Sequence, residues 1–108
     1  LVRDGLLPSL SSVVVDENLL DVMRSIIEQG QHAGIDISGF FLLPQVPSEI
    51  RAVSRDGLVV ILMRDDDMRR VFDVLKTVLD KEIKERRNDV EYIDARFGNK
   101  VFYKYRGE

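Results

Sequence analysis

Three places in this sequence carry side chains with chemical reach. Asp65-Asp66-Asp67 sets three carboxylates in a row, and carboxylate oxygens suit hard cations. A calcium loop spaces its ligands around a glycine turn, and that pattern is absent here. The same run stands where an apolar helical repeat begins, a place where acidic residues cap free N–H groups and favour the helix dipole. Capping is the reading that its position supports. His32 is the single histidine and there is no cysteine. One imidazole cannot build a zinc site alone, so His32 reads as a helix-end residue. Ser9, Ser11 and Ser12 have neither a neighbouring base nor a G-x-S-x-G elbow, and read as loop. Gly30, Gly34 and Gly39 fit no phosphate-binding spacing. Nothing selects a pair of carboxylates for hydrolysis. The expectation is a non-enzyme with no cofactor and no metal.

The stretch EYIDARFGNKVFYKY, near the carboxyl end, is better organised. Gly98-Asn99 is a two-residue turn signal, and glycine in the first turn position suits a type II′ turn. Pairing Phe97 with Lys100 then sets Arg96 against Val101, Ala95 against Phe102, Asp94 against Tyr103, Ile93 against Lys104 and Tyr92 against Tyr105. One face would hold Ile93, Ala95, Phe97 and Phe102 and meet the core, with Lys100 and Lys104 at its margins. The other would hold Tyr92, Asp94, Arg96, Val101, Tyr103 and Tyr105. Tyrosines with polar tips are enriched at interfaces, yet they are also good strand formers, and Tyr92 opposite Tyr105 would serve as a cross-strand pair. If the last strand is an edge, its unpaired backbone is a site for strand addition.

The rest of the chain must position this hairpin. At 108 residues it is one domain, 1–108, with 44% hydrophobic residues, an ordinary content for a globular core. The net charge of -3 is well mixed, and even the charge-rich Lys81 to Arg87 is broken by Glu82 and Glu85. Nucleic acid and anionic membrane surfaces are not favoured as partners. No apolar run is long enough to span a bilayer, and there is no signal-peptide pattern. The chain opens on Leu1 rather than Met, which predicts a piece of a longer protein.

Leu1 to Leu10 reads as a strand or extended arm. Asp16 is a candidate N-cap for a helix carrying Leu19, Leu20, Val22, Met23, Ile26 and Ile27 on one face, with Gly34 as its stop. Strands are expected at Ile35 to Leu43, Ser48 to Arg55 and Leu58 to Met63. Asp56-Gly57 reads as a two-residue turn pairing Arg55 with Leu58, with Ile50, Ala52, Ser54, Val59, Ile61 and Met63 on one face. A second helix comes after Asp65-Asp66-Asp67, with Met68, Val71, Phe72, Leu75, Val78, Leu79 and Ile83 at helical spacing, and ends at Asn88-Asp89. The order β-α-β-β-β-α-β-β predicts an α+β two-layer sandwich, a mainly antiparallel sheet with two helices.

At the closing hairpin the chain resembles the extracytoplasmic β domain of the bacterial cell-division family FtsQ/DivIB. That family closes on a tract like Y-[IV]-D-L-R-[FY], a turn and a last strand. Here it stands as Tyr92-Ile93-Asp94-Ala95-Arg96-Phe97, Gly98-Asn99, then Lys100-Val101-Phe102-Tyr103, with Ala95 in place of the usual leucine. VRDGLLPSL at 2–10 is similar to the family's D-x-G strand and Leu-Pro, and VLKTVLDKE lies in the helix before the closing hairpin. The resemblance implies a non-catalytic scaffold of the divisome, anchored in the cell membrane by an upstream single-pass helix, with this domain extracytoplasmic. It also implies FtsB/DivIC-like and FtsL-like coiled coils as partners. The partner-binding residues would be Tyr92, Arg96, Phe97, Lys100, Val101, Phe102, Tyr103 and Tyr105, acting by strand addition. Other classes stay open: a ferredoxin-like assembly or dimerisation domain of a pilus or secretion inner-membrane protein, or a small-ligand sensor domain.

Overall fold

The computed structural model describes residues 17–107. The expected arm at Leu1 to Leu10, the serines and the Asp16 cap lie outside the described residues. Helix α1 spans Glu17–His32, followed by β1 (Ile37–Leu42), β2 (Glu49–Ser54) and β3 (Val59–Met63). Helix α2 spans Met68–Val78, and β4 (Val90–Phe97) and β5 (Lys100–Tyr105) close the chain. The sheet order is β1-β2-β3-β4-β5. β3 and β4 are parallel and joined through α2; the other three neighbouring pairs are antiparallel. The fold is an α+β two-layer sandwich, with both helices on one face of a five-stranded mixed sheet.

Sequence periodicity dictates the covered face. On α2, Met68, Val71, Phe72, Leu75 and Val78 are all buried, and full burial of a side chain such as Phe72 or Leu75 is worth about 1.5–3 kcal/mol. They meet Ile50, Ala52, Val60, Leu62, Ile93 and Ala95 in one core with Leu19 and Ile26 of α1. Helical spacing puts Leu20 and Ile27 on that same apolar face of α1, yet both are exposed. The acidic run does cap α2: the Asp67 carboxylate accepts from the N–H groups of Arg69 and Arg70, and Asp66 pairs with Arg70 at 2.7 Å. His32 is exposed in the last turn of α1.

α1 stops where expected, and the reason is visible. Gly34 has φ +78; its N–H donates to Gln31 O, while Ile35 N–H donates to Gly30 O at 2.7 Å. These two bonds form a Schellman motif around a left-handed glycine. The close return of Ile35 also leaves no space at Gly30, where a Cβ would lie 2.7 Å from Ile35 O and 3.0 Å from Ile37 Cγ1.

The second helix ends differently from its sequence pattern. After Val78 the chain widens into a π-helical turn (Leu79–Ile83) and then tightens into a 3₁₀ segment (Lys84–Asp89). The wide turn keeps both Leu79 and Ile83 buried. The junction falls on Lys84, at φ 53 and ψ -125, a conformation that costs a non-glycine residue about 1–3 kcal/mol.

The first hairpin corrects the expected register. Val53 pairs with Val59, Ala52 with Val60 and Arg51 with Ile61, one residue away from the pairing of Arg55 with Leu58. The turn holds three residues, since Ser54 and Leu58 bond to each other (Ser54 N–H to Leu58 O, 2.8 Å), and Gly57 sits at φ +91. That is the glycine-closed three-residue loop. It is held by Ser54, whose hydroxyl accepts from Leu58 N–H at 2.9 Å and donates to Asp56. A one-residue slip exchanges faces, so Leu58, Val60 and Leu62 face the helices, while Val59, Ile61 and Met63 face away.

Two substitutions involving glycine should run against helix propensity. Gly30→Ala should lower the urea midpoint, by the equivalent of about 1–3 kcal/mol of overpacking, although alanine is the better helix former. Lys84→Gly should raise it by about 1 kcal/mol as the strain is released. Opposite shifts would refute both accounts.

Candidate functional site

The closing hairpin has the expected turn but not the expected faces. Phe97 pairs with Lys100, and Gly98 has φ +67 while Asn99 does not enter the positive region, as a type II′ turn requires. The register then shifts between Asp94 and Phe97, and Asp94 pairs with Phe102, Ile93 with Tyr103 and Tyr92 with Lys104. An extra residue on β4 at Ala95-Arg96 is a bulge, which re-aims the side chains beyond it. Phe97 and Phe102, expected inside, are therefore 51% and 54% exposed. Val101, Tyr103 and Tyr105, expected outside, are half-buried and pack against the core. Ile93 and Ala95 are buried as anticipated.

The two exposed phenylalanines meet edge to face, with centroids 5.4 Å apart. The tyrosines form a second pair on the helix side, where Tyr103 and Tyr105 are also edge to face at 5.7 Å. Tyr103 donates to Glu82 at 3.1 Å, and Arg86 lies 3.6 Å over the Tyr105 ring. Burial, aided by the Glu82 carboxylate, pushes the Tyr103 hydroxyl up from its ordinary pKa. These tyrosines fasten β5 to the segment after α2.

The sheet face that the two described helices leave uncovered carries an ionic network. The registers align Phe41, Arg51, Ile61, Asp94 and Phe102 in one row across all five strands. Above Ile61, Arg96 forks onto Asp94, with Nε to Oδ1 at 2.8 Å and Nη2 to Oδ2 at 2.7 Å. Its Nη1 reaches Glu49 Oε1 at 2.9 Å, and Arg51 holds the other Glu49 oxygen at 2.7 Å. Glu49 and Asp94 are buried. The fork from Arg96 holds the Asp94 carboxyl below the usual carboxylate range against the opposing effect of burial. Asp94 in turn raises the Arg96 guanidinium. Beside the network lies a shallow cavity of about 450 Å³, lined by Val59, Ile61, Glu91, Tyr92 and the Arg51, Asp94 and Arg96 side chains.

The site residues read from the sequence thus divide. Phe97, Lys100 and Phe102 are exposed at the hairpin, Tyr92 and Arg96 belong to the open sheet face, and Val101, Tyr103 and Tyr105 turn inward. Sequence reasoning missed Glu49 and Arg51. Their signal was present: Glu49-x-Arg51 repeats the spacing of Asp94-x-Arg96, and residues two apart on strands share a face.

β5 is an edge. Among the described residues its only strand neighbour is β4. Arg106 N–H donates to Asp89 O at 2.7 Å, so the N–H groups of Lys104, Phe102 and Lys100 also face β4. Alternation along the strand sends those of Val101 and Tyr103 outward. The side chain of Lys100 makes no ion pair with any described residue, while Lys104 stands 3.8 Å from Glu91.

Removing Arg96 should be costly, because it leaves two buried carboxylates without their shared partner. Arg96→Ala should lose about 2–4 kcal/mol in urea unfolding. Arg96→Lys should recover little, since an ammonium cannot make the fork; full recovery would mean that geometry is irrelevant. Acid should act through Asp94. Its folded pKa lies below the unfolded value, so its contribution is complete above about pH 4 and is lost as pH falls further, through the folded value. Asp94→Asn should flatten the dependence of stability on pH below about 4, and an unchanged slope would exclude that role. Comparison with known proteins finds no matching family model and no matching curated protein.

Proposed function

We propose that this chain is a non-catalytic scaffold domain of a bacterial divisome protein of the FtsQ/DivIB kind. In this reading it is extracytoplasmic, anchored by an upstream membrane helix, and binds FtsB/DivIC-like and FtsL-like partners by strand addition to β5. The observation that carries the reading is the conjunction at the closing motif. The tract Tyr92 to Phe97 leads through the turn into an edge strand, with an exposed aromatic pair beside it. No helix among the described residues is long and apolar enough to cross a membrane, so the proposed anchor belongs to another segment. Backbone bonds along the edge would supply affinity, and Phe97 and Phe102 would supply selectivity. A ferredoxin-like assembly domain is disfavoured by the direct β3–β4 pairing, because that architecture splits its β-α-β unit.

Two substitutions separate docking from folding. Val101→Pro removes an outward N–H without breaking a bond to β4, and Phe102→Glu places a charge on the exposed ring position. Each should weaken binding of the same organism's FtsB/DivIC-like protein at least about tenfold, measured by calorimetry, while the domain stays folded. Phe102→Glu should change the thermal midpoint little, and Val101→Pro should lower it only by the lost packing of the half-buried Val101 side chain. Unchanged affinity in both would sink the reading.

A further inference from the structure

Resting on that reading, we infer that the β5 edge selects an acidic strand: an extended partner segment with carboxylates at its first and fifth positions and a large apolar residue between them at the third. Lys100, Phe102 and Lys104 alternate along β5, and Phe102 and Lys104 are in register with Asp94 and Tyr92 of the open sheet face. The edge therefore presents cation, ring and cation at strand spacing, on a chain whose net charge is -3. Arg106 continues the basic run and is exposed. A strand laid beside β5 bonds to the outward N–H groups of Val101 and Tyr103, and its alternate side chains fall beside Lys100, Phe102 and Lys104. Lys100 has no ionic partner among the described residues, and Lys104 has only the long contact to exposed Glu91. Carboxylates from the partner would complete both.

The same spacing argues against a second copy as occupant. In an antiparallel β5–β5 pair centred on Phe102, each Lys100 lies opposite a Lys104, and like charges directly opposite are destabilising. The edge thus resists itself while accepting an acidic strand, which is how lysines commonly protect an edge.

The test uses the 108-residue chain, ¹⁵N-labelled, titrated with capped nine-residue peptides and followed by amide shifts. One peptide alternates Thr and Val around Glu, Leu and Glu at its third, fifth and seventh residues; a second has Lys for both Glu. The Glu peptide should shift the Val101 and Tyr103 amides and bind about tenfold tighter than the Lys peptide. The double variant Lys100→Glu, Lys104→Glu should reverse that order. Equal affinities at β5 overturn the charge inference and leave strand addition intact. Shifts of β5 that depend on protein concentration alone overturn it in favour of self-pairing. No shift at β5 with either peptide also overturns it, and the Val101→Pro measurement then decides separately whether the docking reading stands.

Discussion

One crossover governs this molecule. α2 leaves β3, lies across the sheet and returns the chain to β4 in parallel beside it. Its buried row from Met68 to Val78 can cover only one face, and α1 joins it on that side. This sorts every strand into residues that touch the helices and residues that do not. Ala52, Val60 and Ile93 are wholly buried on one side, and Arg51, Ile61 and Asp94 lie on the other. The ionic network occupies the face left over. Because β4 and β5 come after the crossover, the closing hairpin stands at one end of the sheet.

The network is better understood as a specifier of register than as a source of net stability. Withdrawing two carboxylates from water is expensive, and a well-packed apolar replacement often does as well. What Arg96 adds is geometry, because it joins β4 to β2 over the top of β3. A slip of β2 or β4 by one residue would send Glu49 or Asp94 into the apolar core. Charges placed two apart on two separate strands make such slips costly.

Elements were far more legible in the sequence than registers. The seven heptad-like positions of the second helix, Met68 to Ile83, are all buried, because a long apolar repeat has only one way to meet a sheet. The strands and the two turns also lie close to where composition put them. Their pairings do not, for local reasons. Asp56-Gly57 belongs to a three-residue loop because buried Ser54 spends its hydroxyl inside the turn. The bulge at Ala95-Arg96 leaves no mark on the alternation of polar and apolar residues. A single added residue inverts everything beyond it, so Phe102 and Tyr103 exchanged roles. The site survived in location and changed in content: an aromatic pair faces out, the tyrosines hold β5 down, and Glu49 and Arg51 were hidden by lying far away in sequence.

The strand order of the sheet equals the order of the strands in the chain. Among the described residues no strand is inserted between two earlier ones, so each can add to a neighbour already made. A chain emerging from its amino end, from a ribosome or through a membrane pore, can therefore build the sheet outward one strand at a time, in step with vectorial synthesis. β5 is laid down last. Its outer side does not exist until the four strands before it are in place, so whatever binds that side binds only an assembled sheet.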